Sequence, residues 1–447
     1  MVLRQILFVL GLLWSASPGS AKLDTAAGSV IDQQECNYFS VDGICFGHEL
    51  REKKFLMADG FTNLNHGSYG TVAKPVADKQ YSFFLEQEAY PDTWFRVNYF
   101  SYVDKSREVL ANYVNASVDD VVLVENASSA MNSILRSIAL ARGDKVMLLS
   151  TAYGMVRETL EWLVGSVGIQ LVVVPVEFPL LNDDQILAGV KAALSENPDI
   201  KVSIFSHISS MPSLIEPVRE MTALVRNMSS SLVVVDGAHA PGQLTVDVGD
   251  LGVDFYLGNC HKWLYAPKGT AFLWTAPAQQ QGDGSAQRSP EPTVISSSGK
   301  RDYVGRYAYT GTRDYTHFAA LPTAMSFRES LGGDASIMGY CRELAADAST
   351  LLVSLWGTEM LVPLGMTSFL FSVILPSTDA DAIAYAQATM DSKYHIYFVY
   401  DKTTNAATGE DIFFTRLSAQ VYLELSDFRR FGTLLPELLE EAAKVVN

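Results

Sequence analysis

Cysteine is scarce in this chain: four residues in 447 cannot staple a fold of this length. None falls in a CxxC pair and no HExxH run is present, so neither a disulfide scaffold nor a metal centre is expected. Basic charge is scarce too. The formal net charge is −17 and no Lys/Arg cluster or basic stripe interrupts the acidic excess, which argues against nucleic acid or an anionic membrane as partner. Long apolar runs are missing as well. The nearest, "ILFVLGLLW" at 6–14, is about half of the ~20 residues a membrane span needs. It follows one arginine and precedes the small-residue stretch "SASPGSA", the order of a secretory signal peptide. Residues 1–21 are therefore read as a signal removed near Ala21, and the destination as the secretory pathway or the extracellular space. In that compartment Cys36 and Cys45, which bracket "NYFSVDGI", are expected to form a disulfide, the alternative being two unrelated thiols.

The rest of the chain is long enough for a large domain and a smaller one. From about residue 118 short β-branched runs alternate with polar turns and helical stretches: "DVVLVENASSAMNSILRSIALA", "KVMLLSTAYGMVRETLEWLV", "IQLVVVPVEF", "KVSIFSHISSM", "SLVVVDGAHA". Near-continuous apolar strands separated by helices predict an α/β fold with a mostly parallel sheet covered on both faces. Residues 276–302 read as a long exposed loop. Beyond about Leu331 the pattern changes to an α+β set. The expected organisation is a signal at 1–21, an N-terminal segment at 22–60, a large domain at 61–330 and a small C-terminal domain at 331–447.

In a parallel sheet, chemistry gathers beyond the carboxyl ends of the strands. "VVVDGAHA" delivers Asp236 and His239 to such an end, and "NCHKW" places Lys262 after another. A lysine can condense with an aldehyde, an aspartate can keep a pyridine nitrogen protonated, and a helix N-terminus can hold a phosphate. "ENASSAMNSIL" offers that helix start at Ala127, Ser128 and Ser129, although alone it would be an ordinary capped helix. The three requirements together specify pyridoxal 5'-phosphate.

At this point the sequence resembles the class V aminotransferase family of fold type I pyridoxal-phosphate enzymes, nearest to its isopenicillin N epimerase-like and cysteine desulfhydrase-like branch. The resemblance rests on "LNHGSYG", "NASSAMN", "SHISSMPSLIEPV", "VVVDGAHAPG", "GNCHKWLYAPKGTAFLW", "YTGTRD" and "RLSAQVY", spread from about 61 to 425. It implies that Lys262 carries the cofactor and shuttles the Cα proton, and that Asp236 pairs with the ring nitrogen. It places His239 near the ring or, equally, in a bond to Asp236. Tyr153 would stack on the cofactor or else be a core tyrosine. His261 would reach the phosphate, and Thr312 would reach the phosphate of a neighbouring subunit, making a homodimer. Arg416 would grip the substrate α-carboxylate unless it pairs with an acidic residue. Asn65 and His66 would line the entrance or merely form a capped glycine turn, and Ser209 and Ser210 would touch cofactor or substrate or simply form a turn.

One departure matters. "YDKTTNAATGEDIFFT" lacks the loop cysteine that persulfide-forming desulfurases of this superfamily use, which disfavours that chemistry. The implied function is an epimerase or C–S lyase acting at Cα or Cβ of a small amino-acid substrate, with a class V aminotransferase as the alternative. A catalytically silent binding protein on the same fold is the reading from another class.

Overall fold

The computed structural model describes residues 36–280, 289–296 and 302–445. The expected signal at 1–21 and the chain up to residue 35 lie outside the described residues. All elements below belong to the unit Asn37–Asn447.

Its centre is a seven-stranded sheet made of β1 (Val121–Val124), β2 (Lys145–Leu149), β3 (Gln170–Val174), β4 (Ile200–Ser206), β5 (Leu232–Asp236), β6 (Phe255–Asn259) and β7 (Ala271–Thr275). The order across the sheet is β1-β7-β6-β5-β4-β2-β3. Neighbours run parallel from β3 through to β6, and only β7 runs antiparallel to the strands beside it. Side chains sort by the two-residue period of a strand. Val122, Val124, Val146, Leu148, Val202, Ile204 and Val234 enter one core. Val121, Leu123, Met147, Leu149, Phe205, Val233 and Val235 enter the other. Burial on both faces is why these strands read as unbroken apolar runs.

Two crossover helices matter for the site. The first, α1 (Ala127–Ser137), starts where the Asn126 side chain accepts the Ser129 N–H at 2.9 Å, and buries Ala130, Met131, Ile134 and Leu135 at helical spacing. The second, α2 (Gly154–Ser166), begins at Tyr153. A four-residue turn, α3 (Cys260–Trp263), follows β6.

The C-terminal part holds a 24-residue helix, Gly333–Trp356, and an antiparallel three-stranded sheet in the order β9-β10-β8, with β8 Leu370–Ile374, β9 Val399–Thr404 and β10 Asp411–Ser418. The helix stops at Gly357, whose φ of 63° is the left-handed ending glycine supplies. Thr62–Asn63 pairs in parallel with Ile396–Tyr397, tying the start of the 61–330 range to this part.

Of the exposed loop expected at 276–302, Val294 and Ile295 are exposed, whereas the stretch 289–292 departs from the expectation. Ser289, Pro290 and Pro292 are buried, the Glu291 N–H donates to Ser137 Oγ at 2.9 Å, and the Glu291 carbonyl accepts from Ser133 Oγ at 2.5 Å. The serines of α1 satisfy a stretch whose polar composition suggested solvent. Cys36 and Cys45 are both disulfide-bonded, whereas Cys260 and Cys341 are free and buried. No helix among the described residues is long and apolar enough to cross a membrane.

Candidate active site

Strand β5 delivers Asp236 to the carboxyl end of the sheet, where its Oδ1 accepts the Ala238 N–H at 3.0 Å. Burial pushes this carboxyl above its ordinary range, and the Ala238 bond and the charge of Lys262 pull it back. Strand β6 ends at Asn259, and the turn of α3 brings Lys262 to the same edge. The Lys262 amine lies 3.0 Å from His239 Nε2. It is brought down to about 7, first by burial and then by the charge of Arg416, against the opposing pull of Asp236. A buried amine of that basicity is about half unprotonated at pH 7, far more than an ordinary lysine, and that fraction can attack a carbonyl. It is no surface lysine. His239 bonds to Lys262 and, through Nδ1, receives the Trp263 indole N–H at 3.4 Å, so it does not take up the bond to Asp236 left open by the sequence.

The short turn that carries the lysine is pinned from behind. His66 Nε2 contacts the Lys262 carbonyl at 2.6 Å, and its Nδ1 meets the Tyr422 hydroxyl at 2.9 Å. The buried guanidinium of Arg328 donates to the Trp263 carbonyl at 2.7 Å and is held by Asp334. Gly70 passes so near that a Cβ there would stand 1.9 Å from the His261 carbonyl oxygen. His66 therefore does not line an entrance. Both its nitrogens are engaged in the interior, and burial takes the ring down to about 3.

Arg416 on β10 is 3 % exposed and makes no ion pair among the described residues, which removes the acidic-partner alternative. Its Nη1 donates to Ser210 Oγ at 3.0 Å, and its Nη2 donates to Ser68 Oγ at 2.7 Å and to Asn65 Oδ1. All three acceptors are neutral, and Nε is buried with no partner. Burial draws the guanidinium down to about 10. A buried cation held only by neutral oxygens is costly unless an anion joins it, so the arrangement suits a carboxylate. Asn65 thus serves Arg416 rather than an entrance. The Ser209 hydroxyl turns away to the Pro212 carbonyl at 2.7 Å.

At the far end, the Ala127 N–H is taken by Asn259 Oδ1 at 2.9 Å and the Ser129 N–H by Asn126, so of the three expected cradle residues Ser128 keeps its amide and hydroxyl for a ligand. Ser129 faces a separate small cavity with Arg313. His261 Nδ1 meets the Thr270 carbonyl at 3.0 Å, and burial takes the ring down to about 4. Thr312 is exposed, bonded to the Tyr309 hydroxyl, and outside the cavity of this chain. Tyr153 is 50 % exposed at the rim, not a core tyrosine.

One cavity of about 340 Å³ joins these parts, lined among others by Ser128, Tyr153, Ser210, Asp236, His239, His261 and Lys262. Sequence reasoning missed Ser68, Tyr69, Glu125 and Lys268 on the same lining. Ser68 and Tyr69 lay inside "LNHGSYG", and Lys268 inside "APKGT", but nothing in their spacing marked them. Among the described residues no group of His, Cys, Asp or Glu could hold a metal ion. The donor set does suit pyridoxal phosphate: a carboxylate for a ring nitrogen, an amine of lowered basicity for an aldehyde, a helix start with a free amide, and a guanidinium suited to a carboxylate.

Comparison with known proteins agrees. The aminotransferase class-V family model matches residues 92–391. A putative L-cysteine desulfhydrase of Oryza sativa subsp. japonica is 30% identical over 86% of this chain and 84% of its own length. An isopenicillin N epimerase of Streptomyces clavuligerus is 29% identical over 69% of this chain and 79% of its own. A solved cystine C-S lyase in complex with its product cysteine persulfide superposes with a TM-score of 0.69 at 18% identity, covering 86% of this chain and 98% of that one, a likeness of fold.

Proposed function

The chain belongs to the class-V aminotransferase family and is a pyridoxal-phosphate enzyme, and from that premise we propose that it cleaves the C–S bond of a cysteine-like amino acid. The observation that carries this reading is the convergence on one cavity of a Lys262 amine of lowered basicity and the Asp236 carboxyl, with Arg416 directly behind the wall, bonded to the lining residues Ser68 and Ser210. The desulfhydrase relative supports elimination over the other outcomes. So does the state of the thiols: Cys260 and Cys341 are buried with pKa values pushed up by burial, so neither is suited to accept sulfur as a persulfide. The sulfur would leave as free sulfide.

Bound in this cavity, pyridoxal phosphate supplies an aldehyde for the amine and an electron-withdrawing ring for the substrate. Asp236 would hold the proton on the ring nitrogen. Ser128 and His261 would hold the phosphate, joined by Thr312 of a second copy of the chain, while Tyr153 covers a ring face. Arg416, positioned by Asn65, Ser68 and Ser210, would clamp the α-carboxylate and set the Cα–H bond within reach of Lys262 Nζ, which takes the proton. Loss of the β-substituent then gives sulfide, and hydrolysis of the remainder gives pyruvate and ammonia. The epimerase relative favours a second reading in which Lys262 or another group returns the proton on the opposite face.

The test is product analysis with L-cysteine and no keto acid. Equal amounts of sulfide, pyruvate and ammonia are expected from the wild type, and Lys262→Ala should lose both turnover and the cofactor absorbance band. Loss of optical activity without sulfide would move the assignment to the epimerase. Strict dependence on an added keto acid would make the protein an aminotransferase.

A homodimer and a secreted destination belong to the same proposal. The exposed Thr312 supports the first. The disulfide-bonded state of Cys36 and Cys45 supports the second, since such bonds persist in oxidising compartments.

A further inference from the structure

An indole nitrogen can only donate a hydrogen bond. Trp263 Nε1 points at His239 Nδ1, 3.4 Å away, so Nδ1 must be the accepting nitrogen. The ring is fully buried and disfavours a second proton, burial above all holding it well below the ordinary histidine range. A neutral ring that accepts at Nδ1 carries its proton on Nε2, and it is Nε2 that lies 3.0 Å from the Lys262 amine. An ammonium has donors only and would face that N–H with no acceptor, whereas a neutral amine meets it with its lone pair.

We propose that Trp263 is a positioning residue for Lys262: its indole fixes His239 as the Nε2–H tautomer, which presents a donor to the amine and so keeps Lys262 uncharged before the cofactor arrives. Burial and the charge of Arg416 bring Lys262 down to about 7 apart from this contact, in the same direction. The other groups that face the amine are Asp236 on β5, which favours its charged form, and Arg416 on β10, which opposes it. Those that face the imidazole, besides Lys262, are Arg416, His261 and His66, all opposing protonation. Trp263 is itself immobile: it is 1 % exposed, with its carbonyl bonded to Arg328 and its ring packed edge-on against Phe369 at 5.8 Å. The inference rests on the reading of Lys262 as the residue that captures pyridoxal phosphate, but not on which reaction follows.

Two measurements test it, both on the full chain stripped of cofactor. Nitrogen NMR of protein carrying labelled histidine reads the tautomer directly, the His239 signals being identified among the seven histidines by their loss in His239→Gln. An unprotonated Nδ1 with a protonated Nε2 is expected, and the reverse assignment would overturn the proposal. The second measurement is the pH dependence of the rate of pyridoxal phosphate capture, followed by absorbance, in wild type and Trp263→Phe. Without the indole the ring is free to turn its lone pair toward an ammonium. The midpoint should then rise by about one pH unit, slowing capture at pH 7 about fivefold while leaving the high-pH plateau unchanged. An unchanged midpoint in a folded variant would sink the idea, and if the variant does not fold the tautomer decides alone. Wild-type protein that captures no cofactor at any pH would instead bring down the proposed function, leaving the tautomer measurement standing.

Discussion

Glu216 is a carboxyl with no cation beside it. Its Oε1 accepts the Thr151 hydroxyl and its Oε2 the Ser206 N–H, each at 2.9 Å, and it is 2 % exposed. Burial pushes its pKa to about 8, the two hydrogen bonds pulling it down and the charge of Asp236 pushing it further up. A carboxyl raised from its ordinary value of 4.5 lends stability that is fully present below 4.5 and is lost as pH rises through 8. Glu216→Gln cannot titrate. Relative to that variant the wild type should lose about 1.4 kcal/mol of stability per pH unit between about 5 and 8, as urea unfolding at several pH values would reveal. Equal slopes in the two proteins would contradict the raised pKa. At this scale the sequence was legible where a reactive residue followed an apolar strand, as Asp236 and Lys262 do. It was not legible for Glu216, whose "SLIEPV" setting says nothing of burial, nor for His66, whose neighbours suggested a polar turn at an entrance.

The four-residue turn of α3 is far too short to hold itself. Its shape comes from outside, through His66, Arg328 and the close passage of Gly70. Gly70→Ala would combine a positive φ of 66° with a Cβ 1.9 Å from the His261 carbonyl oxygen. Gly60→Ala has a comparable φ of 74° and open space around the new methyl. The second change should cost about 1–2 kcal/mol of stability and leave cofactor binding intact. Gly70→Ala should cost more and also abolish cofactor retention, measured by thermal melts and pyridoxal phosphate titration. Retention in Gly70→Ala equal to that in Gly60→Ala would mean that the segment does not set the lysine. "LNHGSYG" was legible only as an entrance segment or an ordinary glycine turn capped by Asn65. That it backs the lysine depends on a contact between residues far apart in the chain, which spacing alone does not encode.

At the scale of the molecule, the parallel sheet was readable because burial on both faces writes itself into every residue of a strand. The pairing of Thr62–Asn63 with Ile396–Tyr397 was not, because a two-residue strand carries no periodicity. The assembly has its own test. If Thr312 reaches the phosphate of a second copy, mixing Lys262→Ala subunits with Thr312→Ala subunits should restore cofactor binding and activity at one site per mixed dimer. If Thr312 serves its own subunit, the mixture should remain as inactive as its parts. The cage of neutral oxygens around Arg416 also bears on the whole fold, because none of the described residues supplies this buried guanidinium with an anion. Any small carboxylate that completes it binds the native state and not the unfolded one. Solution conditions then become part of the chemistry: acetate, formate or glycine in a buffer should raise the melting temperature and lower the rate together, so that stability and speed recorded in such buffers would trade against each other for a reason that lies in one residue.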